Sequence, residues 1–115
     1  MTILNVFYKI SYGDFMDVNY ELGDLKFVWD SEKAEINKKK HKVSFETAAR
    51  VFLDENAYDD FDQMHSEFED RIKIVGRVGK VLSVVYTERE DRNRIITARR
   101  ADKDEVDDYY GQFYD

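Results

Sequence analysis

Residues 71–100, RIKIVGRVGKVLSVVYTEREDRNRIITARR, constrain the fold of this chain more than any other stretch. They contain three alternating runs rich in β-branched residues, which a glycine turn (RVGK) and a polar turn (EREDRN) separate. Short alternating runs joined by short turns are typical of antiparallel strands that pair in chain order. We therefore expect a three-stranded antiparallel meander here.

The same stretch is basic, although the protein as a whole is acidic. It holds nine Arg or Lys residues against three acids, whereas the net charge of the 115-residue chain is −7. A basic sheet in an acidic chain suggests a surface that meets negative charge. The alternative is that these side chains only solvate the outer face of a half-buried sheet.

Length and composition exclude several classes of protein. A chain of 115 residues with 43% hydrophobic and 15% aromatic residues is typical of one globular domain. Without cysteine it has no disulfide, thiolate metal site or cysteine nucleophile, and two histidines cannot form a histidine-rich zinc site. No cofactor is therefore expected. The sequence shows neither a signal peptide nor an apolar run of the roughly 18 residues that span a membrane, so a cytoplasmic location is expected.

The order of predicted elements indicates an α+β domain. Its antiparallel sheet, the meander plus N-terminal strands, would pack against two or three α-helices. The predicted strands before the meander are 3–12 and 25–30, and the predicted helices are 31–42, 45–52 and 101–113. Asp30 and Ser44 are suitable N-caps for the first two helices, and Asp102 and Glu105 have capping-box spacing in the last. The last helix also carries an apolar stripe of Val106, Tyr109, Tyr110 and Phe113.

Several motifs together resemble the BrnT toxins, the ribonuclease half of a bacterial type II toxin–antitoxin pair. In order they are the W-D strand end, the N-x-x-K-H helix end, V-S-F-E, H-S-E and R-I-I-T-A-R-R, followed by Glu105 and Tyr109. The resemblance covers about residues 26 to 110. We therefore expect a BrnT-like toxin domain over 26–115, with 1–25 as an N-terminal extension that adds an extra strand to the same domain.

The resemblance implies a RelE-like fold and metal-independent cleavage of RNA that inhibits translation. It also implies a cognate antitoxin that blocks the toxin and carries a DNA-binding domain, so operator DNA is reached only through the antitoxin. A catalytically inactive protein-binding module of the same fold is the alternative. The sequence differs from the family pattern at Lys42, where the family usually has glycine after the helix-ending histidine. A left-handed helix cap at Lys42 would therefore be strained.

Metal-free RNA cleavage needs attack of the 2′-hydroxyl on the neighbouring phosphate, proton transfer to and from oxygen, and cations around the crowded phosphorane. Arginine suits the last task because its planar fork binds phosphate bidentately and stays charged. The candidates for catalysis are Arg71, Arg99 and His65. The candidates for contact with RNA phosphates are Arg94, Arg100, Arg77 and Lys80.

Each candidate also has a structural interpretation. The arginines can be surface or salt-bridged residues, Arg77 and Lys80 can be solvated turn residues, and His65 can pair with a nearby carboxylate. His41 is interpreted as a structural residue at the helix end, and Trp29 and Tyr86 as packing residues. Because the first and third meander strands run in the same direction, Arg71, Arg94, Arg99 and Arg100 cannot all converge without a bulge or a redirecting helix.

The N-terminal strand needs an edge to accept its hydrogen bonds. We expect residues 3–10 to pair with 25–30 or across the interface of a homodimer. The acids of the extension would then lie near the basic sheet and lower its positive potential; they are Asp14, Asp17, Glu21 and Asp24.

Overall fold

A computed structural model describes residues 16–60 and 70–114 of the chain, together with the backbone of residues 5–10. The strands are β1 (Asn5–Ile10), β2 (Met16–Leu22), β3 (Leu25–Asp30), β4 (Tyr58–Asp60), β5 (Ile72–Val78), β6 (Lys80–Arg89) and β7 (Arg92–Arg100). The helices are α1 (Ser31–His41), α2 (Phe45–Arg50) and α3 (Lys103–Gly111), and a short 3-10 helix (Val51–Leu53) follows α2.

The seven strands form one sheet in the order β1-β2-β3-β7-β6-β5-β4. Strands β5, β6 and β7 pair antiparallel in chain order, and Gly79 makes the first of their turns with a φ of +70°. The prediction of a wholly antiparallel sheet is wrong at one junction, because β3 runs parallel to β7. Parallel neighbours need a long crossover, which α1, α2 and β4–β6 provide here. Alternation within a strand carries no information about the direction of a neighbour that distant in sequence.

Strand β2 lies between the two strands that were expected to pair. No strand is predicted from the sequence for residues 16–22, yet these residues alternate: Val18, Tyr20 and Leu22 are buried, and polar residues stand between them. β2 pairs antiparallel with β1 on one side and with β3 on the other. The predicted direct pairing of residues 3–10 with 25–30 is therefore wrong.

The main core lies between one face of the sheet and helices α1 and α2. Trp29 contacts Tyr20 and Phe45, with ring centroids 5.2 and 5.8 Å apart, and Phe52 contacts Phe27 and Tyr86 at 5.0 and 4.8 Å. Trp29 is 2% exposed and Tyr86 is 6% exposed, which confirms both as packing residues.

Both predicted N-caps at the start of this layer are confirmed. The Asp30 side chain accepts a hydrogen bond from the backbone N–H of Lys33, and the Ser44 side chain accepts one from Thr47. α1 and α2 thus begin where the sequence places them, and they pack on the core face of the sheet.

Helix α3 packs on the opposite face. Its capping box is complete: the Asp102 side chain accepts from the Glu105 backbone, and the Glu105 side chain accepts from the Asp102 backbone. Tyr109 is buried against a small second core with Val75 and Val81, whereas Tyr110 and Phe113 of the predicted stripe are exposed. In the described residues, no helix has the length and apolar character needed to cross a membrane.

Candidate nucleic-acid interface

Glu105 of α3 is the centre of a polar network on the sheet face that α3 covers. Its side chain accepts hydrogen bonds from Arg99 Nη1 at 2.8 Å and Arg99 Nη2 at 3.2 Å, and from Ser83 Oγ at 3.1 Å. Lys73 Nζ lies 2.9 Å from Glu105 Oε2. Burial by itself raises the pKa of the Glu105 carboxyl, but hydrogen bonds from Arg99 and Lys73 outweigh burial and lower that pKa to about 2. Glu105 is therefore ionised at neutral pH and holds two cations in place.

Arg99, a predicted catalytic residue, belongs to this network. Both terminal nitrogens of its guanidinium bind Glu105, and Nη1 also donates to the backbone oxygen of Arg100 at 3.0 Å. The hydrogen bond to Glu105 raises the pKa of Arg99 above its ordinary value. This geometry matches the salt-bridged interpretation of Arg99, although 40% of its side chain remains exposed.

Arg71, the second predicted catalytic arginine, lines a cavity of 270 Å³ beside α1, named here the Arg71 cavity. The other lining residues are Lys33, Ile36, Asn37, Lys40, His41, Ile96 and Thr97. Three of these side chains are cationic or imidazole groups of α1, and no described lining residue is Asp or Glu. The cavity is therefore suited to an anion.

A β-bulge in β7 shapes the wall of the Arg71 cavity. Val85 lies opposite Thr97 and Tyr86 lies opposite Ile95, so Ile96 has no partner in the register. An extra residue bends a strand and re-aims neighbouring side chains. Ile95 is buried in the core, whereas the next two residues, Ile96 and Thr97, both line the cavity.

Asn37 fixes α1 to β7 between the cavity and the core. Its side-chain amide donates to the backbone oxygens of Ala98 and Val43 at 2.8 and 3.0 Å, and its oxygen accepts from the backbone N–H of Ala98 at 3.1 Å. The residue is 6% exposed. Asn37 thus supplies the hydrogen bonds that a neighbouring strand would otherwise give to β7.

Arg100 and Lys80, predicted phosphate contacts, line a separate cleft of 320 Å³, named here the Arg100 cleft. The other lining residues are Lys38, Lys42, Val43, Ser44, Thr47, Val78 and Leu82. Lys42 adopts the left-handed conformation, with φ 61° and ψ 27°, and its backbone N–H closes α1 on the oxygen of Lys38. The strained cap foreseen from the sequence is therefore present.

The other two predicted phosphate contacts lie elsewhere. Arg94 Nη2 is 3.3 Å from Asp17 Oδ1 of β2, so this carboxylate partly neutralises Arg94. The neighbouring Arg92 of β7 donates a hydrogen bond to the side chain of Asn19, which also belongs to β2. Arg77 is exposed near the β5–β6 turn, where its Nε donates to the backbone oxygen of Gly79 at 3.3 Å.

The structure thus separates the predicted site residues that it describes into five places: the Arg71 cavity, the Glu105 network, the Arg100 cleft, the contact with β2 and the β5–β6 turn. His65 lies outside the described residues. Four lysines in α1 or at its C-cap line the cavity or the cleft but are not among the candidates predicted from the sequence: Lys33, Lys38, Lys40 and Lys42. The basic run KKKHK at the helix end was the available signal for three of them, Lys38, Lys40 and Lys42. Within 16–60 and 70–114, no group of three or more His, Cys, Asp or Glu side chains is placed to hold a metal ion.

Comparison with known proteins finds a similar solved structure and a matching protein family. The chain is similar to the ribonuclease toxin BrnT of Brucella abortus, whose crystal structure at 1.1 Å superposes with a TM-score of 0.51. The two share 20% sequence identity, and the match covers 65% of this chain and 94% of that one. No curated protein sequence matches the chain. The family described as "Ribonuclease toxin, BrnT, of type II toxin-antitoxin system" matches residues 29–105, two thirds of the chain. The chain therefore belongs to the BrnT family of ribonuclease toxins of type II toxin–antitoxin systems.

Proposed function

We propose that this protein is an endoribonuclease that cleaves RNA without a metal, through attack of the 2′-hydroxyl on the adjacent phosphate, and that the scissile phosphate binds in the Arg71 cavity. The observation that carries this proposal is the cavity itself. Arg71, Lys33 and Lys40 line it and no carboxylate does among the described lining residues. Cations placed around a phosphorane stabilise the charge that develops in the transition state.

Two histidines are the candidates for proton transfer. His65 belongs to the H-S-E motif, and His41 lines the Arg71 cavity. Imidazole suits both proton transfers because its ordinary pKa lies near neutral pH. Arg99 acts as a positioning residue in this proposal, because Glu105 holds its guanidinium.

The biological setting follows from the family. The toxin would inhibit translation in the cytoplasm and would be neutralised by a cognate antitoxin whose DNA-binding domain brings the pair to operator DNA. We further propose a RelE-like toxin domain over 26–115 with residues 1–25 as an extension of its sheet. Two findings support this boundary: the family match begins at residue 29, and the Brucella toxin aligns over 94% of its own length but only 65% of this chain.

One experiment tests the nuclease directly. The protein, separated from its coexpressed antitoxin, is incubated with single-stranded RNA in EDTA, and cleavage products are resolved on a gel. Cleavage should persist in EDTA and stop on RNA that carries 2′-O-methyl groups. Arg71→Ala should slow it by about 100-fold or more. Arg50→Ala, which removes an exposed arginine that lines neither cavity, is the matched control.

The binding-module alternative also has an observation in its favour. Arg94 and Arg99, two of the arginines expected at the site, are both engaged by carboxylates. If the purified protein binds its antitoxin and leaves RNA intact, the alternative replaces the nuclease. If Arg50→Ala and Arg71→Ala cleave equally fast, the nuclease stands but the Arg71 cavity is not its active site.

A further inference from the structure

The Arg100 cleft collects cationic side chains from three elements. Lys38 lies in α1 and Lys42 at its C-cap, Lys80 begins β6 and Arg100 ends β7. No Asp or Glu is among the described residues that line it. All four side chains are exposed. The cleft is therefore accessible and positively charged, in a chain whose net charge is −7.

Several cations elsewhere on the described surface have carboxylate partners. Ion pairs join Lys26 to Asp91, Arg94 to Asp17, Lys73 and Arg99 to Glu105, and Lys103 to Asp107. Among the residues that the structure describes, none of the four cleft cations forms such a pair. Like charges held around one cleft repel each other, and a bound anion relieves that repulsion.

The sheet and the helix cap fix the shape of the cleft. Arg100 pairs with Leu82, and Val78 pairs with Lys80, so these four residues share one face of the sheet. Two hydroxyl groups stand on the opposite wall, where Ser44 Oγ donates to Thr47 Oγ1 at 2.9 Å. Lysine, arginine and hydroxyl groups are the usual protein partners of phosphate oxygens.

The Arg100 cleft and the Arg71 cavity lie on two sides of the same helix end. At 3.6 residues per turn, Lys38 and Lys40 project to either side of the buried Asn37, and Lys39 projects to solvent between them. Lys38 lines the cleft and Lys40 lines the cavity, whereas Lys39 lines neither. The two sites are thus separated by about one helix diameter, on the order of 10 Å.

We infer that the Arg100 cleft is a second phosphate-binding site, which holds the backbone of the same RNA strand that enters the Arg71 cavity. This inference rests on the proposed nuclease function. Two basic sites on either side of one helix end match a ligand whose anionic groups repeat along a chain. The strand would cross the end of α1, and its phosphates would contact both sites. Such contacts provide affinity and register and carry no base specificity.

The test measures binding of a single-stranded RNA whose 2′-O-methyl groups prevent cleavage, by fluorescence anisotropy at several salt concentrations. The cleft variant is Lys80→Gln combined with Arg100→Gln. The matched control is Lys39→Gln combined with Arg50→Gln, which removes the same charge from exposed positions outside both sites. We expect the cleft variant to bind at least tenfold more weakly than the control. A plot of the logarithm of its association constant against log salt should be less steep, with a slope smaller in magnitude by about 1.4. The variant loses two phosphate contacts, and each contact on a single strand contributes about 0.7.

Three outcomes would overturn the inference, and they separate it from the nuclease itself. If both double variants bind RNA equally well while the wild type cleaves RNA, the Arg100 cleft is not a phosphate-binding site, and the proposed nuclease function is unaffected. If the cleft variant loses only its complex with the antitoxin, the cleft is a protein contact. If the wild type neither binds nor cleaves RNA, both proposals fall together.

Discussion

The side-chain amide of Asn37 binds both backbone polar groups of Ala98, with its oxygen 3.1 Å from the Ala98 nitrogen and its nitrogen 2.8 Å from the Ala98 oxygen. β3 reaches β7 only at Asn93 and Arg94, so Ala98 lies on a part of that edge beyond the strand pairing. Asn37 therefore joins α1, which contributes lysines to both candidate sites, to the basic strand β7.

Replacing Asn37 should destabilise the fold. Asn37→Ala removes three hydrogen bonds and leaves buried backbone groups of Ala98 and Val43 without those partners. We expect a loss of about 2 to 4 kcal/mol in the free energy of unfolding, measured by urea denaturation. Asn56→Ala, at an exposed position, should change it by less than about 0.5 kcal/mol. Equal stability of the two variants would contradict the role given to Asn37.

Lys42→Gly should stabilise the protein. Lys42 has a φ of 61°, a conformation that costs a residue with a Cβ roughly 1 kcal/mol and glycine nothing. The same change at Lys39, inside α1, should destabilise by about 1 kcal/mol. Opposite shifts of the thermal unfolding midpoint are the expected result. A destabilised Lys42→Gly variant would show that the lysine side chain contributes more than its backbone strain costs.

Local patterns in the sequence predicted local structure well, and distant contacts poorly. Asp30 and Ser44 cap their helices as predicted, because a cap depends on residues three positions away. β2 was missed even though Val18, Tyr20 and Leu22 alternate with polar residues, since acids and aromatics obscured the pattern. The parallel pairing of β3 with β7 joins residues more than sixty positions apart, and no periodicity within either strand encodes it.

The candidate site shows the same division. Arg71 is predicted from the sequence as a catalytic residue, but its neighbours Lys33 and Lys40 come from a helix thirty to forty residues earlier and could not be placed without the fold. Arg99 was identified too, yet its bond to Glu105 depends on how α3 folds back on the sheet. A sequence motif thus names a residue, and only its packed surroundings show whether its charge is available to a ligand.

Glu105 should make the stability of the protein depend on pH in the acid range. Burial raises the pKa of this carboxyl, but hydrogen bonds from Arg99 and Lys73 more than offset it and lower the pKa from 4.5 to about 2. A folded-state pKa below the unfolded value stabilises the protein above pH 4.5, by about 3 kcal/mol, and this stability is lost as the pH falls toward 2. Glu105→Gln should therefore be less stable than the wild type at pH 7, and the difference should shrink by pH 2.

The measurement is the free energy of unfolding at a series of pH values. Glu55→Gln, which neutralises an exposed carboxylate outside the network, is the control. A difference between wild type and Glu105→Gln that stays constant from pH 7 to pH 2 would show that the charge of Glu105 is not what stabilises the network.

Arg71 and Arg99 should respond differently to substitution. Arg71→Ala should abolish growth arrest by the expressed toxin even where the variant remains folded. Arg99→Ala leaves the buried Glu105 without its bidentate partner, so it should lower stability by about 2 to 4 kcal/mol and lose activity with it. The checks are a growth curve and a melting curve for each variant. If the Arg99→Ala protein is stable but no longer arrests growth, Arg99 is a catalytic residue and not a positioning residue.

The contact between Asp17 and Arg94 should weaken RNA binding. Asp17 belongs to β2, which precedes the family match, and its carboxylate lies 3.3 Å from a guanidinium predicted to bind phosphate. Asp17→Asn removes that competing anion and keeps the size of the side chain. We expect tighter binding of uncleavable RNA and a slope of log K against log salt that is steeper by about 0.7. A point substitution is preferable to deleting residues 1–24, because the deletion would expose the edge of β3 to aggregation.

Asp24→Asn is the control for this last measurement, since it makes the same change of charge at an exposed position next to the β2–β3 turn. If Asp17→Asn and Asp24→Asn bind RNA with the same affinity, only the net charge of residues 1–25 matters. Breaking the ion pair between Asp17 and Arg94 then adds nothing to RNA binding. If Asp17→Asn alone binds more tightly and with the steeper salt dependence, the extension acts through the ion pair with Arg94. Combining Asp17→Asn with Arg94→Gln should then cancel the gain, because the cation that it frees is no longer present.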